Sequence, residues 1–256
     1  MKADMGYYLT IDKGNTATKV ALWNDSTLLK FGGSIEVGEG LGQLQMDRDE
    51  IFSSGIVKAI ICSVTEDDSK ELNVLKEQGI DVMLFNHQTP IPIVNEYKTP
   101  HTLGLDRLAA AVGAWDEYKG KDLLVIDMGS AITYDIVTAA GQYVGGNIAP
   151  GMSMRFEALH NYTSRLPRVE AEGELPLWGF NTETAIRSGV ISGIIGEINY
   201  YKNKLSENHL VILTGGDAEM IAKRLDFIHF YMYNIKAVKF STQHPCHFGG
   251  QKTRRR

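Results

Sequence analysis

Apolar residues arrive along this chain in short bursts separated by glycine turns, a spacing that predicts strands and helices in alternation. Tyr7-Tyr8-Leu9-Thr10-Ile11 has the composition of a β-strand, Gly14-Asn15 marks a tight turn, and Ala17 to Trp23 reads as a second strand. The chain is therefore expected to open with a hairpin, with Asp12 at its bend. Val57 to Ile61 is strand-like, Glu66 to Gln78 helix-like and Asp81 to Phe85 strand-like again, a β-α-β rhythm. Leu105 to Tyr118, rich in Ala and Leu, predicts a helix. The rhythm then restarts. Leu123 to Ile126, Ile132 to Thr138 and Gln142 to Ile148 predict three strands, with Gly129-Ser130 turning between the first two. Helices are expected over Gly151 to Tyr162 and Thr182 to Lys204, a strand over His209 to Leu213, and a last helix over Ala218 to Leu225. Gly189, Gly193 and Gly196 lie inside the long helix, where each costs about 1 kcal/mol of propensity; we read them as marks of close packing on another helix.

The two halves repeat. Ile11-Asp12-Lys13-Gly14-Asn15-Thr16-Ala17-Thr18 aligns without gaps on Ile126-Asp127-Met128-Gly129-Ser130-Ala131-Ile132-Thr133, keeping Ile, Asp, Gly and Thr in place. In both, an Asp ends a strand and a glycine turn follows, which predicts two related hairpin modules.

Composition narrows the partners. With 256 residues and 43% hydrophobic content, the chain has room for one large domain or two modest ones. A net charge of -5 and a pI near 5.8 provide no basic field for nucleic acid or an anionic membrane, so small molecules are the expected partners. Cys62 and Cys246 lie too far apart in sequence to suggest a disulfide framework or a metal-ligand pair. That fits a reducing compartment, with the cytoplasm expected. The short apolar run from Tyr7 to Ile11 does not resemble a signal peptide, and no stretch reaches the ~18 apolar residues of a membrane helix.

A strand-end carboxylate followed by a glycine hairpin suits triphosphate handling. The glycine lets backbone N–H groups approach phosphate oxygens, and the Asp can hold the hydrated Mg²⁺ that bridges them. Asp is also a common turn starter, so neither hairpin decides the matter alone. Gly145-Gly146-Asn147-Ile148-Ala149-Pro150-Gly151 and Thr214-Gly215-Gly216-Asp217-Ala218 are further junctions where a nucleotide can come close to backbone, or where the chain merely turns. No Walker loop and no G-x-G-x-x-G occurs. In Tyr97 to Arg107, a glycine delivers Asp106 and Arg107 side by side to the start of an apolar helix. Asp106 can accept a proton from an attacking hydroxyl and Arg107 can bind an anionic group; a dipole-favoured acid and a surface cation are the plain alternative.

Taken in order, D-x-G-N-T, G-x-D-R, D-x-G-[TS]-A, G-G-x-I-x-P-G and G-G-D-A resemble the type III pantothenate kinase family over residues 12–218. The resemblance implies an α/β fold of the actin-like, sugar kinase and heat-shock ATPase superfamily: two ribonuclease-H-like domains with a nucleotide cleft between them, set here at 1–119 and 120–256. It implies ATP-dependent phosphorylation of pantothenate, the first step of coenzyme A synthesis, in a homodimer. Asp12, Lys13, Gly14, Asn15, Thr16, Ala17, Thr18 and Lys19 would line the ATP phosphates and Ser130 would contact the nucleotide. Tyr97, Gly104, Leu105, Asp106 and Arg107 would bind pantothenate, with Asp106 as proton acceptor. Asp127 would help hold a monovalent cation, K⁺ or NH₄⁺, beside the catalytic Mg²⁺. Thr182 matches a further substrate contact, near a subunit interface. Ser130 stands where Thr is commoner and keeps the hydroxyl. After about residue 226 the resemblance stops, which we read as an altered or frameshifted terminus; His244, Cys246 and His247 there lack a proper metal-ligand set. A nucleotide-binding regulatory relative without kinase activity, and a kinase for another hydroxylated acceptor, are the competing expectations.

Overall fold

A computed structural model describes residues 7–14, 18–24, 27–34, 55–63, 69–225 and 229–230. Asn15, Thr16 and Ala17 of the first glycine turn, and the atypical tail from Tyr231, lie outside the described residues. Among the described residues the chain forms two compact units, divided between Pro92 and Ile93.

In the first unit, β1 (Tyr7–Lys13), β2 (Thr18–Asn24), β3 (Thr27–Ser34), β4 (Ile56–Ser63) and β5 (Asp81–Leu84) form a mixed sheet in the order β3-β2-β1-β4-β5, with α1 (Ser69–Glu77) between the last two strands. β2 runs antiparallel to both β1 and β3, while β4 joins β1 and β5 joins β4 in parallel. Alternation puts Leu9, Ile11, Val20, Leu22, Ala59 and Ile61 into one core with Leu75 of α1. The buried indole of Trp23 donates to Thr10 Oγ1 at 2.9 Å, so neither polar atom is stranded.

The second unit repeats that topology. It contains β6 (Val94–Asn95), a 3₁₀ turn (Pro100–Thr102), α2 (Leu105–Glu117), β7 (Leu123–Met128), β8 (Ala131–Val137), β9 (Gln142–Pro150), α3 (Met152–Asn161), α4 (Thr182–Lys204), β10 (Leu210–Thr214), α5 (Ala218–Ala222) and β11 (His229–Phe230). The order is β11-β10-β7-β8-β9-β6. Apart from β6, its pairings match the first sheet strand for strand: two antiparallel neighbours on one side of the first strand and two parallel additions on the other. The hairpins that aligned in sequence are thus β1–β2 in one sheet and β7–β8 in the other. One detail differs. Asp12 opposes Lys19 whereas Asp127 opposes Thr133, so the first turn holds one more residue and the ungapped alignment slips by one after it.

One face of the second sheet packs Ile126, Ile132, Tyr134 and Leu213 against Phe156 of α3 and Ile191, Ile194 and Ile198 of α4. The other face is covered by α2, buried from Arg107 to Ala114, whose run of alanines lets it lie close on β7 and β8. For this reason residues 93–119 pack with the second unit, ahead of the 119/120 division expected from the sequence. α4 spans the predicted residues and starts at a capping box: Asn181 Oδ1 accepts the Thr184 N–H at 2.9 Å and Thr184 Oγ1 accepts the Asn181 N–H at 3.1 Å. Within the subunit its glycines do not meet the helix expected to pack on them. Gly189, Gly193 and Gly196 are exposed, and a Cβ on Gly189 or Gly196 would meet nothing within 4 Å. β3 and β6 were not expected: Gly32-Gly33 weakens the strand pattern of one, and the other is two residues long. No helix among the described residues is long and apolar enough to cross a membrane.

Gly215, between β10 and α5, has φ +96°, and a Cβ there would lie 2.5 Å from the backbone of Met128. Backbone strain and overpacking together should make Gly215→Ala about 2–4 kcal/mol less stable, read as a lower urea midpoint at unchanged slope.

Candidate active site

The first turn of α2 holds the predicted acid. After the Pro100–Thr102 turn, Gly104 takes an extended conformation and the helix begins at Leu105. Asp106 falls where the helix N–H groups favour a carboxylate. Its Oδ1 accepts the backbone N–H of Arg107 at 2.8 Å, which leaves Oδ2 to receive a proton. A Cβ on residue 104 would collide with that Oδ1, so glycine serves here as space. Asp106 is half-buried and Leu105 likewise.

Arg107 turns inward, and the surface cation expected as the plain alternative is excluded: the residue is only 5% exposed. Nη2 donates to Asp135 Oδ1 at 2.6 Å, and Nε donates to Oδ1 at 3.1 Å and Oδ2 at 3.4 Å. The Tyr143 hydroxyl donates to the same Oδ1 at 2.6 Å. Asp135 is fully buried in the middle of β8. Burial pushes its pKa up, against the pull of Arg107 and Tyr143. For Arg107, burial disfavours the charge, but the hydrogen bond and charge of Asp135 outweigh it and hold the pKa above its ordinary value. Three donors on a carboxylate this close to a guanidinium favour the ionised pair. Burial, and then the Asp135 charge, push the Tyr143 phenol up as well. Tyr97 completes the cluster: its ring lies edge-on to Tyr143 at 6.2 Å, and the guanidinium is 5.9 Å from its centroid. Gly146 on β9 makes the approach possible, because a Cβ there would collide with the Tyr134 carbonyl, the Asp135 carboxylate and the Arg107 guanidinium.

A second cluster forms at the end of β7. Asp127 is the penultimate residue of its strand, as Asp12 is of β1, and both are half-buried. Three glycine-bearing turns meet beside it. The Gly129 N–H donates to the Ala131 carbonyl at 3.1 Å, the Gly151 N–H to the Ser130 carbonyl at 3.1 Å and the Asp217 N–H to the Met128 carbonyl at 3.2 Å. A Cβ on Gly151 or Gly215 would strike the backbone of 128–130, so these motifs, distant in sequence, are locked together. Burial, with the charge of Glu172 second, raises the pKa of Asp217. The two clusters share a face of the sheet: Thr133, the partner of Asp127, and Asp135 are alternate residues of β8.

The remaining expected residues lie elsewhere. Asp12, Lys13 and Gly14 are half-buried at the β1–β2 turn, with Thr18 buried and Lys19 half-buried across from them. Thr182, exposed at the start of α4, lines a cavity of about 960 Å³ with Arg155, Phe180, Ile186 and Gly189, and that wall includes neither Tyr97 nor any of Gly104 to Arg107.

A family model for type III pantothenate kinase matches residues 8–204. A type III pantothenate kinase from Bacteroides fragilis is 45% identical over 213 residues, covering 82% of this chain and 85% of the relative. The enzyme of that name from Porphyromonas gingivalis is 39% identical over 227 residues, covering 86% and 90%. This chain belongs to the type III pantothenate kinase family. Among solved structures, a Campylobacter jejuni protein assigned to the Baf family of transcriptional activators superposes with a TM-score of 0.57 at 23% identity, covering 91% of this chain and 94% of that one. A Sinorhizobium meliloti protein assigned as a 2-dehydro-3-deoxygalactonokinase gives 0.50 at 11%, covering 91% and 96%. At those identities the structures establish the fold alone, the doubled α/β arrangement.

For this pantothenate kinase family member, the structure brings Tyr97, Gly104, Leu105, Asp106 and Arg107 together and adds Asp135, Tyr143 and Gly146. Gly146 was singled out as a close-approach junction for a nucleotide, whereas Asp135 and Tyr143 were missed because their importance depends on what faces them, although an acid in the middle of the apolar strand Ile132 to Val137 was a visible signal. Removing one partner of a buried ion pair leaves an uncompensated charge, so Asp135→Ala should cost about 3–5 kcal/mol, measured by chemical denaturation.

Proposed function

We propose that this protein transfers the γ-phosphoryl group of ATP to the primary hydroxyl of pantothenate, yielding 4′-phosphopantothenate for coenzyme A synthesis. The family assignment supports the activity, and the observation that carries the residue roles is the Asp106 carboxylate, anchored through one oxygen at the mouth of α2. Asp106 takes the proton of the attacking hydroxyl as the new P–O bond forms. Tyr97, Gly104, Leu105 and Arg107 hold pantothenate beside it, while the residues of the first hairpin, Asp12 to Lys19, and Ser130 hold ATP. Positioning and charge neutralisation supply the rate enhancement, with no covalent intermediate.

Mg²⁺ neutralises the phosphates when bound. A strand-end carboxylate such as Asp12 suits it, because Mg²⁺ takes one or two carboxylates and otherwise phosphate oxygens and water. Asp127, beside the packed turns of 128–130, is assigned to the monovalent cation. The subunit is assigned to a homodimer: Leu177, Trp178 and Phe180 are 81%, 83% and 68% exposed, and the glycine face of α4 is open beside them. Thr182 then contributes at that interface. We assign the reaction to the cytoplasm. The likeness to a Baf-family protein is one of fold, and the complete Gly104-Leu105-Asp106-Arg107 motif favours a catalyst over a regulatory relative.

A coupled assay of ATP consumption over a panel of acceptors should show pantothenate preferred; equal turnover of a sugar would transfer the site to another substrate. Activity should rise in K⁺ or NH₄⁺ relative to Na⁺, and equal rates in all three would remove the role given to Asp127. Light scattering should give a dimer. Asp106→Asn keeps the shape but removes the proton acceptor, so turnover should fall by about 10²- to 10⁴-fold with ATP affinity nearly unchanged.

A further inference from the structure

The first turn of α2 has no conventional anchor. Gly104 occupies the cap position and provides no side chain to hold the helix N–H groups. What holds this turn is Arg107, which reaches across to β8, where its guanidinium meets Asp135 at 2.6 Å with side-chain exposures of 6% and 1%. The backbone N–H of that same Arg107 is the donor that fixes Asp106 Oδ1. A continuous path therefore runs from the sheet to the carboxylate. Asp135 also balances a cation only one residue away from Asp106; without it, the acid nearest to Arg107 in sequence is Asp106 itself.

We propose that Asp135 is a positioning residue for the phosphoryl transfer, holding the Asp106 carboxylate in place through Arg107 and keeping that cation from taking Asp106 as its counter-ion. This rests on Asp106 being the proton acceptor. Tyr143 supports the same oxygen of Asp135 from β9, and Gly146 keeps the path clear.

The test is a double-mutant cycle. Asp135→Asn is compared with the parent and again in an Asp106→Asn background, with kcat and both KM values measured on protein shown to be folded by circular dichroism. If Asp135 acts through Asp106, the two effects are not additive. In the parent, kcat should fall about tenfold or more with KM for ATP within about twofold, whereas in the Asp106→Asn background the further loss should stay under about threefold. Equal losses in the two backgrounds, as a general structural defect produces, would overturn the proposal, and so would an unchanged kcat in the parent. Should Asp135→Asn not fold, Tyr143→Phe removes one hydrogen bond and leaves the ion pair. It should lower kcat about threefold in the parent and leave the Asp106→Asn enzyme unchanged; no loss, or the same loss in both, would overturn it equally. The Asp106→Asn single variant separates the two ideas. Turnover within about threefold of the parent removes Asp106 as the base, whereas a large loss that simply adds to that of Asp135→Asn removes only the positioning role.

Discussion

A carboxylate buried in the middle of a β-sheet needs a cation and several donors to remain charged, and the second unit is organised around meeting that demand. Asp135 is fully buried, and Arg107 and Tyr143 both donate to it. The requirement reaches outward in every direction. Arg107 must come from the first turn of α2, so the helix start is tied to β8. The guanidinium must slide between strand and helix, so residue 146 must lack a side chain. The backbone N–H of the same Arg107 meets Asp106 Oδ1. Such a pair adds little net stability over a well-packed apolar substitute; its value lies in fixing one geometry at the start of α2, beside the acid proposed as the base.

Space is the second constraint. Several glycines of this chain matter for what would otherwise occupy their place, and only some for their backbone angles. Gly104 and Gly146 make room for charged side chains, while Gly151 and Gly215 let separate turns press against the backbone that follows Asp127. A motif rich in glycine is thus a contact between chain segments as well as a turn, and the contact is what gathers the motifs around one strand end.

The doubled topology explains why two acids recur at equivalent positions. In their sheets β1 and β7 are interior strands, each flanked by its hairpin partner on one side and a parallel strand on the other. The end of each is therefore presented with a turn attached and with neighbours on both sides. Asp12 and Asp127 inherit that position from the fold, and the one-residue difference between their turns leaves room for the two hairpins to do different work.

The sequence by itself determined most element types, the helix from Thr182 to Lys204, the repeated hairpin and the family, because these depend on periodicity, on local turn chemistry and on residues close together in the chain. It also singled out Gly104 to Arg107, where acid, cation and glycine are adjacent. What it left open was decided by packing. The assignment of residues 93–119 to the second unit follows from α2 lying on β7 and β8, and the open glycine face of α4 from what does not cover it. The pairing of Arg107 with Asp135 joins residues 28 positions apart, and the contact of Gly215 with Met128 joins residues still farther separated. No local rule connects such positions: a charge in a strand finds its partner only when the helix that carries the partner has been laid across the sheet.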